Sequence, residues 1–245
     1  MRTTGTLNLF VNLKKDLIDD RDYVATTESD EKLPLDFDLY KYVGEIKNQG
    51  KANSCTAHAV VTAFEIEYKY RGLWLVEGSE QYNYYYSRVL SGLFPQDDGA
   101  YLRDACKVLQ KYGNAPEKLM PYNVYKINDK PGVFAEGFAR LLKITQYSRL
   151  IDIDSMKHNI YHGHPVIIGL PIWDEFLNAW AKSRISGLGI GKPKGRHAVL
   201  LIGYNDVNKE FLLLNSWGKN WGINGVIKLP YSYLKCDYDA WVLRI

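Results

Sequence analysis

Three residues far apart in the chain carry the groups that catalysis by a cysteine nucleophile requires: a thiol at Cys55, an imidazole at His197 and an amide at Asn215. In such catalysis a thiolate attacks a carbonyl carbon, the imidazole takes up and returns a proton, and a third polar group holds the imidazole in one orientation and tautomer. The three residues are therefore a candidate nucleophile, a candidate general acid/base and a candidate orienting group.

The spacing of the imidazole and the amide brings them together. Residues 197–204 and 211–214 form two apolar runs, and the turn-forming residues 205–208 separate them. This pattern predicts an antiparallel hairpin. A hairpin centred on this turn places His197 directly opposite Asn215, and opposed residues have Cβ atoms roughly 4.5 to 5.5 Å apart. The amide should therefore reach a ring nitrogen.

The candidate nucleophile lies at the predicted start of a helix. An apolar stripe with helical spacing runs over residues 60–68, and Gly72 follows as a predicted stop. In the first turn of a helix, the macrodipole and the unpaired backbone N–H groups stabilise a thiolate. We therefore predict a lowered pKa for the Cys55 thiol. The same N–H groups could also stabilise an oxyanion.

With these residues identified, the chain resembles the papain-like cysteine peptidases, and in particular their compact bacterial branch. The resemblance covers about residues 35–245. Ala52 stands where secreted members of the family have a disulfide-forming cysteine, which agrees with the bacterial branch. The segments that carry the resemblance are Gln49-Gly50, Ser54-Cys55, His197-Ala198-Val199, Gly203-Tyr204, Asn215-Ser216-Trp217-Gly218, Trp221-Gly222 and Asn224-Gly225.

The resemblance implies a role for each catalytic candidate. By it Cys55 is the nucleophile, His197 is the general acid/base, and Asn215 is the orienting amide. Gln49 is implied to donate a side-chain hydrogen bond to the oxyanion that forms during attack.

The resemblance also implies residues that cover the site and bind substrate. Trp217 is expected to cover the hydrogen bond between the imidazole and the orienting amide. The segment with Gly99 and Ala100 is more weakly similar to the segment that pairs with the substrate backbone in this family.

Helical spacing dominates the first half of the chain, and short apolar runs typical of strands dominate the second half. We predict an α+β protein with the papain-like two-lobed fold: a helical lobe over about residues 45–130, an antiparallel β-barrel-like lobe over about 131–245, and the site in the cleft between them. Residues 1–34 form an N-terminal extension that precedes a peptidase domain at 35–245.

The N-terminal extension has two interpretations. It could be a passive arm packed on the β lobe. Alternatively, residues 1–34 inhibit the enzyme intramolecularly, because the apolar side chains of Leu7, Phe10, Val11 and Leu13 could dock in the substrate groove. The KM of a chain that starts near Leu33 would distinguish the two interpretations.

Composition restricts the remaining function classes. The chain of 245 residues has 46% hydrophobic residues and a net charge of +3, which is ordinary for a soluble globular protein and does not favour nucleic-acid binding. No segment predicts a membrane span. Three cysteines make no disulfide framework, so we expect a reducing, cytoplasmic location. Leaderless export or packaging in a virus particle would leave the same sequence.

Other histidines and a neighbouring charge require interpretation. His158, His162 and His164 have spacing that could suggest a metal, but no carboxylate or cysteine completes the set in sequence, so we expect no metal and no cofactor. His58 is interpreted as a structural helix histidine. Arg196 should lower the pKa of the neighbouring imidazole by charge repulsion.

The predicted function is that of a cysteine endopeptidase that hydrolyses peptide or protein substrates through an acyl-enzyme. An amidase or acyltransferase on the same three residues is the alternative among enzymes, because water and amines compete for the same acyl-enzyme. A papain-like peptide-binding module without turnover is the alternative outside enzymes.

Overall fold

The computed structural model describes residues 11–26, 31–73 and 77–245. Within them the helices are α1 (Cys55–Tyr70), α2 (Glu80–Leu90), α3 (Leu102–Lys111), α4 (Val133–Ala139), α5 (Ile153–Tyr161) and α6 (Asp174–Leu177). The strands are β1 (Asp36–Asp38), β2 (Gln146–Arg149), β3 (Val166–Ile172), β4 (Gly195–Asn205), β5 (Glu210–Leu214), β6 (Val226–Pro230) and β7 (Asp239–Arg244). None of the described helices has the length and apolarity needed to cross a membrane.

The strands form one antiparallel sheet in the order β2-β7-β3-β4-β5-β6, and β1 pairs with β4 beside the end of β3. The sheet is open, because β2 and β6 lie at opposite ends of this order. The predicted antiparallel lobe is confirmed, and its sheet does not close into a barrel. The strand β4 is central and almost wholly buried, so its start can carry functional residues on a rigid support.

Helix α1 joins the helical part of the molecule to the sheet. It begins at Cys55, as the sequence predicted, and every residue from Cys55 to Glu67 is buried. A helix that is buried on all faces must pack against neighbours all round. Here the neighbours are α2 and α3 on one side and β3 and β4 on the other. The packing on β4 brings the start of α1 to the strand that carries His197.

The hairpin of β4 and β5 differs in register from the prediction. Tyr204 is paired with Phe211 and Leu200 with Leu214, with a bulge at Ile202 between them. The turn occupies the four residues 206–209, so its centre lies later in the chain than expected. The prediction that His197 lies directly opposite Asn215 was therefore wrong.

The bulge and the longer turn nevertheless leave the two residues close. The last pair of the two strands is Leu200 with Leu214, and this register continued by one residue would put Asn215 beside Val199, two residues beyond His197. Residues two apart on a strand lie on the same face, and such diagonal neighbours remain within reach of long side chains.

Residues 11–26, which we call the arm, lie across the molecule before the first strand. Backbone hydrogen bonds join Val11 and Leu13 to Arg196 at the start of β4, and Lys14 to Ala100 before α3. Further along, Ala25 donates its N–H to Arg149 of β2 at 2.9 Å. The predicted docking residues Leu7 and Phe10 lie outside the described residues.

Candidate active site

The imidazole and the orienting amide form a short hydrogen bond in a buried environment. His197 Nε2 lies 2.8 Å from Asn215 Oδ1, and the same oxygen accepts the backbone N–H of Ser216 at 2.7 Å. Because that oxygen can only accept, His197 Nε2 carries the hydrogen in the neutral ring. His197 Nδ1 therefore keeps its lone pair, and it has no hydrogen-bond partner among the described residues.

Aromatic side chains enclose this hydrogen bond. The ring of Trp217 stacks on His197 with a centroid distance of 4.5 Å and an interplanar angle of 28°. Phe176 of α6 meets both rings edge-on, at 6.1 Å from His197 and 5.7 Å from Trp217. This enclosure keeps water from competing for the bond between His197 and Asn215. Trp217 lies where the resemblance implied, whereas Phe176 was missed because nothing near it in sequence signals a site.

Cys55 is completely buried at the first position of α1. The backbone N–H of Ala198, the residue after His197, acts on its thiol and favours the thiolate form. Burial raises the pKa of the thiol to about 11, although the N–H groups of Ala198 and Thr56 act in the opposite direction. The predicted lowering of this pKa was wrong for this arrangement, because desolvation outweighs the effect of the helix start.

The pKa of the His197 imidazole is shifted in the opposite direction. Burial lowers the pKa of His197 to about 4, the hydrogen bond to Asn215 partly opposes this shift, and His58 adds a small repulsion. Arg196 plays no part in it, because its guanidinium donates to Asp239 Oδ2 at 2.9 Å. The predicted repulsion by Arg196 was therefore wrong. In the described arrangement burial favours a neutral thiol and a neutral imidazole.

Gln49 is fixed between the two sides of the site. Its side-chain Nε2 donates to the carbonyl oxygen of Ala52 at 2.9 Å, and its Oε1 accepts the hydroxyl of Ser216 at 2.8 Å. Its backbone N–H also donates to the carbonyl oxygen of Ser216 at 2.9 Å. These bonds orient the amide towards the turn that leads into Cys55 and tie it to the residue after Asn215.

A tyrosine missed by the sequence analysis holds the chain before α1. The Tyr122 hydroxyl lies 2.6 Å from Ser54 Oγ and donates to the carbonyl oxygen of Gln49 at 2.8 Å. The His58 ring meets Tyr122 edge-on at 4.6 Å, and its Nδ1 donates to the carbonyl oxygen of Ser54 at 3.0 Å. These contacts agree with the interpretation of His58 as a structural histidine.

The segment that resembles a substrate-binding strand is in contact with the arm. Lys14 donates its backbone N–H to the carbonyl oxygen of Ala100 at 3.1 Å, and its ammonium group lies 2.7 Å from Asp98. A Cβ atom at Gly99 would lie 1.9 Å from the carbonyl oxygen of Asn12, and the φ of Gly99 is +77°. A glycine is required there both by the backbone conformation and by the closeness of the arm.

The arm also contacts the start of β4. Leu13 donates its backbone N–H to the carbonyl oxygen of Arg196 at 3.1 Å, and Arg196 donates its own backbone N–H to the carbonyl oxygen of Val11 at 3.2 Å. The Leu13 side chain is buried against Gly169 and Leu102, and a Cβ atom at Gly169 would lie 2.5 Å from it. The arm therefore hydrogen-bonds to the backbone of two segments, one before α3 and one next to His197.

A buried carboxylate anchors the next part of the arm. Asp16 accepts hydrogen bonds from Trp241 Nε1 at 2.8 Å and from the backbone N–H of Arg103. Its own N–H donates to Asp239 at 3.3 Å. Burial and the nearby negative charge of Asp239 raise the pKa of Asp16 to about 6.

The sequence matches a family model for papain family cysteine proteases over residues 33–242. The chain belongs to this family. An uncharacterized peptidase C1-like protein of Acanthamoeba polyphaga mimivirus is 30% identical to it over 99% of this chain and 80% of the relative. A viral cathepsin of Spodoptera litura multicapsid nucleopolyhedrovirus is 28% identical over 88% of this chain, which spans 62% of that relative's length.

Solved structures of papain-family proteins give the same result. Xylellain, a cysteine protease from Xylella fastidiosa, is 31% identical, with a TM-score of 0.90 and a coverage of 96% of each chain. Digestive procathepsin L 3 of Tenebrio molitor larvae is 21% identical, with a TM-score of 0.76 over 92% of this chain and 75% of that chain. At this identity it supports the fold alone. The papain-like α+β fold, the compact bacterial branch and the cysteine peptidase class are thus confirmed.

Proposed function

We propose that this papain-family peptidase cleaves internal peptide bonds with Cys55 as the nucleophile, His197 as the general acid/base and Asn215 as the orienting group. The observation that carries the proposal is the 2.8 Å bond between His197 Nε2 and Asn215 Oδ1. This bond leaves Nδ1 as the basic atom of the ring, and the neighbouring Ala198 N–H lowers the pKa of the thiol. A ring held in this tautomer can accept the thiol proton.

The reaction begins when the proton of Cys55 Sγ moves to His197 Nδ1 and the sulfur attacks the substrate carbonyl carbon. The carbonyl electron pair moves to the oxygen, which the Gln49 side chain and the backbone N–H at the start of α1 stabilise. His197 then gives its proton to the departing amine, and the C–N bond breaks to leave a thioester. Water, deprotonated by His197, attacks the thioester carbon, and the carboxylic acid leaves as Cys55 recovers its proton.

The arm indicates how a peptide substrate binds. The carbonyl oxygens of Ala100 and Arg196 accept backbone N–H groups of Lys14 and Leu13. An extended substrate can offer the same donors from its own backbone whatever its sequence, so the class of substrate is an extended peptide segment. A substrate side chain in the position of Leu13 would lie against Leu102 and Gly169, which favours an apolar residue there.

We further propose that the arm is an intramolecular inhibitor. Its backbone occupies the carbonyl oxygens of Ala100 and Arg196, so a substrate must displace residues 11–14 to reach them. Inhibition by a segment of the same chain needs only modest intrinsic affinity, because its effective concentration is in the millimolar range for short linkers. The passive alternative predicts that removing the arm changes stability without changing the apparent KM.

The test of the catalytic proposal uses peptides blocked at both ends, which exopeptidases cannot process. We expect the full chain to cleave these peptides at internal bonds. Cleavage should be lost in Cys55→Ala and His197→Ala variants that retain the melting temperature. Added hydroxylamine separates the alternatives, because an acyltransferase transfers the acyl group to the amine in preference to water. No cleavage product from a folded full chain, either at rest or after removal of the arm, would contradict the peptidase proposal.

A further inference from the structure

Two histidines and a glutamate form a cluster on the outer face of α5. His162 Nε2 lies 2.8 Å from Glu31 Oε2, and His158 Nε2 lies 3.4 Å from the same oxygen. The three ligand-type atoms all lie within 4.8 Å of one another. No carboxylate lies near these histidines in sequence, which led to the expectation of no metal, and Glu31 supplies one from 131 positions before His162.

The helix explains why the two imidazoles converge. His158 belongs to the last turn of α5 and His162 directly follows the helix, so the two residues are four positions apart and share one face. Their ring centroids are 4.5 Å apart. His164, the third histidine of the sequence pattern, is not part of the cluster, and its Nδ1 lies 3.1 Å from Glu67 Oε2.

The two separations that involve Glu31 are close to those that a small divalent cation requires. Zinc bound tetrahedrally by imidazole and carboxylate at about 2.0 to 2.1 Å requires ligand atoms separated by roughly 3.3 Å. The distance between His158 Nε2 and Glu31 Oε2 meets this value, and the pair of His162 and Glu31 needs to open by about half an ångström. The side chain of His162 is 44% exposed, so the cation and a water ligand can reach the cluster.

The chemistry of the donor atoms suits a divalent cation, because two imidazole nitrogens and one carboxylate oxygen are groups that zinc-class ions bind. The Glu31 carboxylate supplies the negative charge that an imidazole pair alone lacks.

We propose that Glu31, His158 and His162 bind a zinc-class divalent cation, with water at the remaining position. The site lies outside the catalytic centre, at the junction between the arm and the matched peptidase domain, which begins at residue 33. Four residues after Glu31, the carbonyl oxygen of Leu35 accepts the N–H of Asp206 at 2.7 Å. The cation links this junction to α5 and has a structural role rather than a catalytic one.

The test uses Co²⁺ as a spectroscopic probe and Zn²⁺ as a competitor on the full chain carrying Cys55→Ala, which removes the candidate catalytic thiol as a ligand. We expect one equivalent of Co²⁺ to produce visible absorption without a sulfur charge-transfer band, to be displaced by Zn²⁺, and to raise the melting temperature. Glu31→Gln and His162→Ala should weaken binding by more than about tenfold. Asp154→Asn, which removes an exposed carboxylate on the same helix, should leave binding unchanged.

Three results would overturn the proposal: no stoichiometric Co²⁺ binding near neutral pH, a sulfur charge-transfer band, or equal affinity in the Glu31→Gln and His162→Ala variants. Because these side chains are partly exposed, the variants should fold, and a melting curve without metal checks this. The readouts are absorbance and melting temperature, so they do not depend on the proposed peptidase activity.

Discussion

The backbone N–H of Leu13 donates to the carbonyl oxygen of Arg196 at 3.1 Å, directly before His197 on β4. The Leu13 side chain is 4% exposed, whereas Leu17, four residues along the same arm, is 76% exposed. A charge at position 13 must therefore be desolvated for the arm to stay docked, whereas a charge at position 17 remains in water.

We expect Leu13→Asp to lower the apparent KM for a blocked peptide severalfold, because the arm competes less well with the substrate. Leu17→Asp is the matched control and should leave KM unchanged. A synthetic peptide of residues 1–34 should restore inhibition to the Leu13→Asp variant. Equal KM values for the two variants and the native chain would show that the arm does not occupy the substrate site.

The pKa of Asp16 predicts a pH dependence of arm docking. Burial, followed by the charge of Asp239, raises this pKa from 3.8 to about 6 in the docked arm. A carboxyl group with a raised pKa binds in its protonated form, so its contribution is fully present below pH 3.8 and is lost as the pH rises through about 6. The shift corresponds to roughly 3 kcal/mol at most.

The measurement is the ratio of KM for the full chain to KM for a chain that begins at Leu33, followed against pH. We expect the ratio to fall as the pH rises through this window. Asp16→Asn should flatten that part of the profile, because the amide does not titrate. A ratio that rises with pH would contradict the assignment, since it would mean that the charged carboxylate favours docking.

Local sequence patterns predicted the start of α1 at Cys55 and the closeness of His197 and Asn215, because both depend on residues near in sequence. The register failed for a local reason as well: the bulge at Ile202 and the four-residue turn shift β5 along β4. Hydrophobic periodicity reports which face of a strand is buried, but it does not report a single extra residue.

The partners of individual side chains could not be predicted, since they come from distant segments. Arg196 pairs with Asp239, and this contact removes the charge effect that adjacency to His197 suggested. Glu31 meets His162 across 131 positions, and Tyr122 meets Gln49 across 73. Such contacts follow from how the helices and the sheet pack, so one sequence without structure does not reveal them.

Gln49 provides a test of transition-state stabilisation. If its side chain donates to the oxyanion, the bond strengthens only as charge develops, so Gln49→Ala should lower kcat by roughly 10² to 10³ and change KM little. Ser216→Ala is the control, because it removes the hydroxyl that orients Gln49 Oε1 but leaves the amide in place. Its loss of kcat should be much smaller. An effect of Gln49→Ala on KM alone would contradict the oxyanion role.

The reactivity of the three cysteines tests the nucleophile and the arm in one measurement. Cys55 is buried in the described arrangement and its thiol pKa is raised to about 11. Cys106 is also buried, whereas Cys236 is partly exposed with a thiol pKa raised to about 11. Cys236 can therefore serve as the reference thiol within the same molecule.

Displacing the arm should admit water to the cleft, which lessens the desolvation that raises the Cys55 pKa and lets His197 and the helix start stabilise the thiolate. We expect iodoacetamide near neutral pH to label Cys55 faster than Cys236 in the chain that begins at Leu33 and in Leu13→Asp, but slowly in the native chain and in Leu17→Asp. Peptide mapping by mass spectrometry gives the ratio of the two rates. Cys236 labelling faster than Cys55 in the truncated chain would refute Cys55 as the nucleophile. An equal ratio in all four proteins would instead show that the arm does not control the reactivity of the Cys55 thiol.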